Sequence, residues 1–243
     1  MGAVPQQPDE APTSASSPYI DPSTGFLRNE VSASTQEEIE AAADELLPGR
    51  LADLVDEPIP CTGDREHLQA IHRLLFEGIF DWAGQFRTTD IDKQGTDFVP
   101  AAEVDSALAE LFAELGAEDL LRGLPREQFI ARLAHHYARL NQIHPFREGN
   151  GRTQRMFWSQ VGLNAGWRVD FLSIPKEANN EASRDASHTG DLEPLIEMLD
   201  SLTSPAPSVE KGEAQVRSSV RRKQRGRRIS GWLKAHANPT RMD

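Results

Sequence analysis

The chain of 243 residues has a single cysteine, Cys61. It therefore cannot form an internal disulfide, and one thiol alone cannot build a thiolate metal site. Long apolar runs are missing too: no stretch approaches the ~18 apolar residues of a membrane span. The amino terminus, MGAVPQQPDEAPTSASSP, lacks the basic start and apolar core of a secretory signal. A cytoplasmic protein with no membrane partner is expected. No GxxxxGK[ST] loop occurs, which excludes a Walker-type phosphate site, and the absence of HExxH argues against a zinc hydrolase. The neighbours His135 and His136 are expected to point to different faces of a helix, as ordinary surface or core-edge residues. No internal repeat is found at solenoid periods.

What is present describes a globular domain with polar extensions: 38% hydrophobic and 26% charged residues, enough chain for one domain with a real core. The net charge of −12 hides an asymmetry. Residues 1–200 carry 16 Lys plus Arg against 35 Asp plus Glu, whereas residues 201–243 carry 10 against 3. An acidic body disfavours nucleic acid as a partner, except through the basic tail.

Residues 1–18, rich in Pro, Ser, Ala and Gln, bury too little apolar surface to fold and are expected to be disordered. Residues 204–243 read as a polar to basic, flexible tail, and residues 19–203 as the domain. Within it, STQEEIEAAADELL predicts a helix capped by Ser34 or Thr35. Leu68, Ile71, Leu75, Ile79 and Trp82 predict a buried helix ending at Gly84. QFRTTDIDKQGTDFVP loses that period and reads as a short hairpin around Gln94-Gly95. Helical periodicity returns in AAEVDSALAELFAELGAEDLL and, through Phe129, Leu133, Tyr137 and Leu140, in REQFIARLAHHYARLNQI. TQRMFWSQVGLNAG begins another helix, with Met156, Phe157 and Val161 inward, and DLEPLIEMLDSL closes the core. The expected fold is mainly α, roughly six to eight helices with one β-hairpin.

Between two of these helices lies NQIHPFREGNGRTQR, Asn141 to Arg155. Pro145 should stop the preceding helix near Ile143 or His144 and push His144 toward an extended conformation. Gly149 and Gly151 permit positive φ and close backbone approach ahead of a new helix whose first amides lack intrahelical partners. Such a loop is a potential anion nest. Arg152 and Arg155, three apart, are poorly placed at a helix amino terminus unless an anion binds there. Glu148 beside phosphates makes sense if magnesium sits between carboxylate and phosphate oxygens. His144 has the pKa range of a general base for a hydroxyl attacking phosphorus. Phe146 should anchor the loop in the core. A plain helix–turn–helix connection with a solvated basic patch is the bland alternative.

HPFREGNGRTQR resembles the signature of the Fic family, in the Fic/Doc superfamily, HxFx(D/E)GNGRxxR, at every fixed position. AIHRLLFEGIFDWAGQFRT upstream and ASHTGDLEPL downstream extend the resemblance over roughly residues 19–203. It implies protein AMPylation: transfer of AMP from ATP, with release of pyrophosphate, to a hydroxyl side chain of a target protein. By that resemblance His144 deprotonates the Ser, Thr or Tyr hydroxyl and Glu148 holds magnesium. Gly149, Asn150 and Gly151 form the anion hole, and Arg152 and Arg155 bind the outer phosphates. Lys93, Gln94, Gly95, Thr96, Asp97 and Phe98 correspond to the flap that clamps the target segment by strand pairing. Doc-like kinases differ at the position of Gly151, which favours nucleotidyl transfer here. Such a kinase, or a non-catalytic module using the basic tail, are the alternatives.

Many members of the family are held inactive by a helix carrying (S/T)xxxE(G/N), whose glutamate pairs with the second motif arginine, here Arg155. Glu-Gly or Glu-Asn occurs only at Glu77-Gly78 and Glu148-Gly149, and the residues four before, Arg73 and His144, are neither Ser nor Thr. A separate antitoxin-like inhibitor is therefore expected, with a divergent internal helix within STQEEIEAAADELL as the alternative.

Overall fold

The computed structural model describes residues 17–56, 59–91 and 98–207. The flap residues Lys93 to Asp97 lie outside the described residues, as do nearly all of the amino-terminal segment and the basic tail.

The first helix, α1 (Gln36–Asp56), starts where expected. Thr35 Oγ1 accepts the Glu38 N–H at 3.2 Å, and the Glu38 carboxylate returns to the Ser34 N–H at 2.6 Å. This reciprocal arrangement satisfies two amides at once. Ile39 and Ala43 face the core. The second helix, α2 (Arg65–Phe76), is capped by Asp64, whose side chain accepts the His67 N–H. It is shorter than its hydrophobic period. Gly78, at φ 73°, turns the chain after Glu77, so Ile79 and Trp82 stay buried but belong to turns. The apolar spacing continued past the point where the backbone could.

A similar truncation ends α3 (Val104–Ala117). The helix expected to reach Leu121 gives way to a tight turn in which Asp119, Leu120 and Leu121 all have positive φ. Such residues cost about 1–2 kcal/mol each, and the turn inserts Leu121 fully into the core. The next helix, α4 (Arg126–Ile143), buries Phe129, Leu133, Tyr137 and Leu140 along one stripe. After a loop comes α5 (Asn150–Asn164), which buries Phe157, Trp158 and Val161 and leaves Met156 half-buried. It packs on both α2 and α4, so α4, the loop and α5 form one rigid unit braced by α2.

Seven helices stand among the described residues. One, α6 (Lys176–Thr189), has almost no large apolar side chain. Its buried stripe is Asn179, Ala182, Ser183 and Ala186, and Tyr137 Oη donates to Asn179 Oδ1 at 2.8 Å. The last helix, α7 (Glu193–Leu202), follows. The two-stranded sheet is not the expected hairpin, whose centre, Gln94-Gly95, lies outside the described residues and whose described flanks, residues 85–91 and 98–100, form no strand. It pairs β1 (Trp167–Val169) antiparallel with β2 (Thr203–Pro205), Arg168 opposite Ser204. No helix among the described residues is long and apolar enough to cross a membrane.

Candidate active site

The loop from His144 to Gly149 is built by its own residues. His144 caps α4 at φ 47°, ψ 61°, with its N–H bonded to the Leu140 carbonyl at 3.0 Å. It is left-handed rather than extended as the following proline led one to expect. Pro145 disfavours only the right-handed helical conformation there, and the left-handed turn satisfies an α4 carbonyl that an extended residue would orphan. Phe146 is buried, as expected. Asn150 holds it from both sides: Oδ1 accepts the Phe146 N–H at 2.8 Å and Nδ2 donates to the Phe146 carbonyl at 2.7 Å. The Asn150 side chain is thus committed to holding the loop.

Gly149 sits at φ 80°, and a Cβ there would lie 2.3 Å from the Phe76 ring. Only glycine fits. No side chain caps α5 at this residue, and the first amides of a helix have no intrahelical partners. Arg152 lies over the Phe76 ring, 4.8 Å from its centroid. Its guanidinium is 3.6 Å from Glu148 and 3.7 Å from Asp44 of α1. Arg155 is half-buried, and burial, with some help from the charge of Arg152, pulls its pKa below the ordinary arginine value. Two arginines are therefore held at a helix amino terminus, and although Glu148 and Asp44 both neighbour Arg152, cations at that end of a helix are an arrangement that a bound polyanion stabilises.

The His144 Nδ1 lies 3.2 Å from the Asn141 carbonyl. Donation there leaves Nε2 as the nitrogen with the lone pair. The ring stacks against Phe98, centroids 4.1 Å apart, so the one described residue of the expected flap touches the candidate base.

Two residues of the site were not singled out by pattern. Arg87, its side chain fully buried, donates Nε to the His144 carbonyl at 2.8 Å and Nη1 to the Thr89 carbonyl at 3.1 Å. Its Nη2 also reaches the carbonyls of Val99 and Ile143. It ties both flanks of the flap segment to the end of α4. His72, on the buried face of α2, stacks on Phe146 at 3.8 Å. Its signal was in plain view: a polar residue beside Ile71 on the apolar stripe.

A second charged cluster stands midway along α4. His135 Nε2 meets Glu114 at 3.1 Å and His136 Nε2 meets Glu118 at 3.1 Å, so the two histidines converge on one patch rather than on different faces. Ligand atoms of Glu114, His135 and His136 lie within 4.8 Å of one another. Arg132 bonds both carboxylates and Arg139 bonds Glu114. The acids are neutralised by protein cations, and the patch reads as a brace between α3 and α4.

Comparison with known proteins gives the family and the fold. Residues 62–161 match the model of the Fic/DOC family. The "Probable protein adenylyltransferase Fic" of Escherichia coli (strain K12) is 37% identical over 189 residues, covering 78% of this chain and 93% of that protein. The chain belongs to the Fic/DOC family. Among solved structures, the N-terminal Fic domain of a VirB-translocated Bep effector protein from Bartonella quintana, with bound ADP, matches at TM-score 0.74. It is 29% identical, over 78% of this chain and 96% of that one. The BepC protein of Bartonella tribocorum, with bound AMPPNP, matches at TM-score 0.73 and 26% identity, over 78% of this chain and 97% of that one.

Proposed function

We propose that the chain is a protein adenylyltransferase whose Fic domain spans residues 19–203. The observation that carries this reading is the joining of His144, with Nε2 as its lone-pair nitrogen, to an open helix amino terminus flanked by Arg152 and Arg155. ATP lies with its phosphates on the amides of Gly149, Asn150 and Gly151, and Arg152 and Arg155 take the outer phosphates. The target hydroxyl attacks the α-phosphorus. A new O–P bond forms, the bridging bond to the β-phosphate breaks, and pyrophosphate leaves with the electron pair. His144 Nε2 takes the hydroxyl proton. The open amides stabilise charge developing on the phosphate oxygens.

Glu148, a hard oxygen donor at the edge of this nest, fits magnesium and would hold it. The ion would supply neutralisation of phosphate charge. The flap segment, Lys93 to Phe98, clamps the target segment by strand pairing, and the contact of Phe98 with His144 supports its placement beside the base.

The relatives' names and the nucleotides in the Bartonella structures support the same reading. Incubation with a cell lysate and ATP labelled at the α-phosphate should label a protein band, with no label from the γ-phosphate. The reverse result identifies a Doc-like kinase, and no label from either, with Asp44→Asn equally silent, identifies a binding module working through the basic tail.

Regulation follows from the absent (S/T)xxxE(G/N) pattern. A separate antitoxin-like protein donates a glutamate to Arg155, and the chain alone is toxin-like in the cytoplasm. Of the internal alternative, α1 does approach the site, but through Asp44 and toward Arg152. Expression of the chain alone should arrest growth, whereas full activity only after Asp44→Asn would assign the inhibition to α1.

A further inference from the structure

The buried imidazole of His72 bridges two main-chain segments. Its Nδ1 accepts the Gly84 N–H at 2.8 Å, so in the neutral ring Nε2 carries the proton and donates to the Glu148 carbonyl at 3.0 Å. The first bond therefore fixes the tautomer needed by the second. Burial holds the ring neutral, pulling its pKa down to about 3. Phe146 and Phe76 flank it, at 3.8 and 4.7 Å between centroids.

The Glu148 carbonyl belongs to the same peptide unit as the Gly149 N–H. In a trans peptide the two point in opposite directions, and the described peptides contain no cis bond. A carbonyl drawn into the core by His72 thus turns the Gly149 N–H away from the core, toward the open end of α5. The freedom that glycine needs at φ 80° is also freedom for this peptide to flip. No side-chain cap holds it.

We propose that His72 is a positioning residue for phosphate binding: its Nε2–H locks the Glu148–Gly149 peptide so that the Gly149 amide faces the nucleotide. The role deepens the adenylyltransferase reading and rests on it. His72 touches neither substrate nor base. It acts on the amide that does.

Two substitutions separate this from a merely structural role. In His72→Gln, Nε2 of the amide replaces the ring Nε2 and keeps the donor to Glu148. In His72→Asn, Oδ1 replaces Nδ1 and keeps the acceptor for Gly84 but loses the donor. Both lose the ring, so both should melt at similar, lower temperatures. Dissociation constants for ATP and for adenosine are measured on each purified full chain. The His72→Asn protein should lose about tenfold in ATP affinity with adenosine binding unchanged, and the His72→Gln protein should keep the wild-type ratio of the two. Equal ratios in both variants, or parallel loss of ATP and adenosine, would overturn the assignment. If the wild-type chain binds adenosine and ATP equally, the phosphate nest itself is wrong and both readings fall together.

Discussion

Two charged regions lie along α4, one midway and one at its carboxyl end, and they treat charge in opposite ways. Around Glu114 and Glu118 each carboxylate is met by arginine and histidine. At the His144–Arg155 loop, Arg152 has two looser carboxylate neighbours, Glu148 at 3.6 Å and the exposed Asp44 at 3.7 Å, beside Arg155 and the amino terminus of α5. Compensated charge braces helices. Arginines at a glycine-built helix start, where the helix dipole already favours an anion, store a demand for one. Residue types alone do not separate the two regions, since both mix histidine, glutamate and arginine; what separates them is which groups are already paired.

The comparison breaks most sharply at the base. His144→Ala should lower the rate of AMP transfer by about 10²-fold or more while leaving ATP affinity nearly unchanged, as rate and equilibrium binding assays would show. The same loss of rate on replacing His135 would mean that the braced cluster is catalytic after all. Next in size, Gly149→Ala places a methyl group against Phe76 at a positive φ. It should cost about 1–3 kcal/mol in a urea titration, together with nucleotide binding.

Acid tests the two regions together. Burial depresses the pKa of His72 beneath the loop, of His136 in the brace, and of His67 on α2. Unfolded, each takes a proton near pH 6.5; folded, each resists it. Their stabilising contribution is therefore complete above about pH 6.5 and declines as pH falls, in the case of His72 down to about pH 3. The slope is at most about 1.4 kcal/mol per pH unit for each histidine. Urea midpoints between pH 7.5 and 4.5 should trace it, and His72→Gln or His136→Gln should each flatten it.

A smaller effect belongs to the brace alone. Arg132→Met should cost about 1 kcal/mol of stability, as partly exposed ion pairs do, with transfer rates unchanged. The smallest is Asp44→Asn. This exposed partner of Arg152 should change ATP affinity by less than about twofold, whereas a large gain would move α1 from bystander to inhibitor.

Much of this was legible in the chain. The stripes of α4 and α5 follow apolar spacing that burial then obeys, and the loop between them is spelled out in consecutive residues. α6 was hidden because its buried stripe is Asn, Ala, Ser and Ala, small groups that close packing accepts but hydrophobic periodicity ignores. β1 and β2, three residues each, are too short for an alternating pattern and depend on partners about 35 positions apart. The ends of α2 and α3 were overrun because apolar residues past a turn can still be buried. His72 and Arg87 act on main-chain carbonyls of distant segments, a kind of partner that no spacing rule registers.

Asn150 has a consequence for speed as well as shape. By clasping both polar groups of the Phe146 backbone, it closes the loop into a ring before any ligand arrives. A loop tied at Phe146 has less conformational entropy left to spend on ordering when a nucleotide enters, and association need not wait for that turn to fold. Nucleotide exchange at this site should therefore be set by how fast the phosphates leave, and a group that takes Arg155 from them should both shorten their stay and oppose their return.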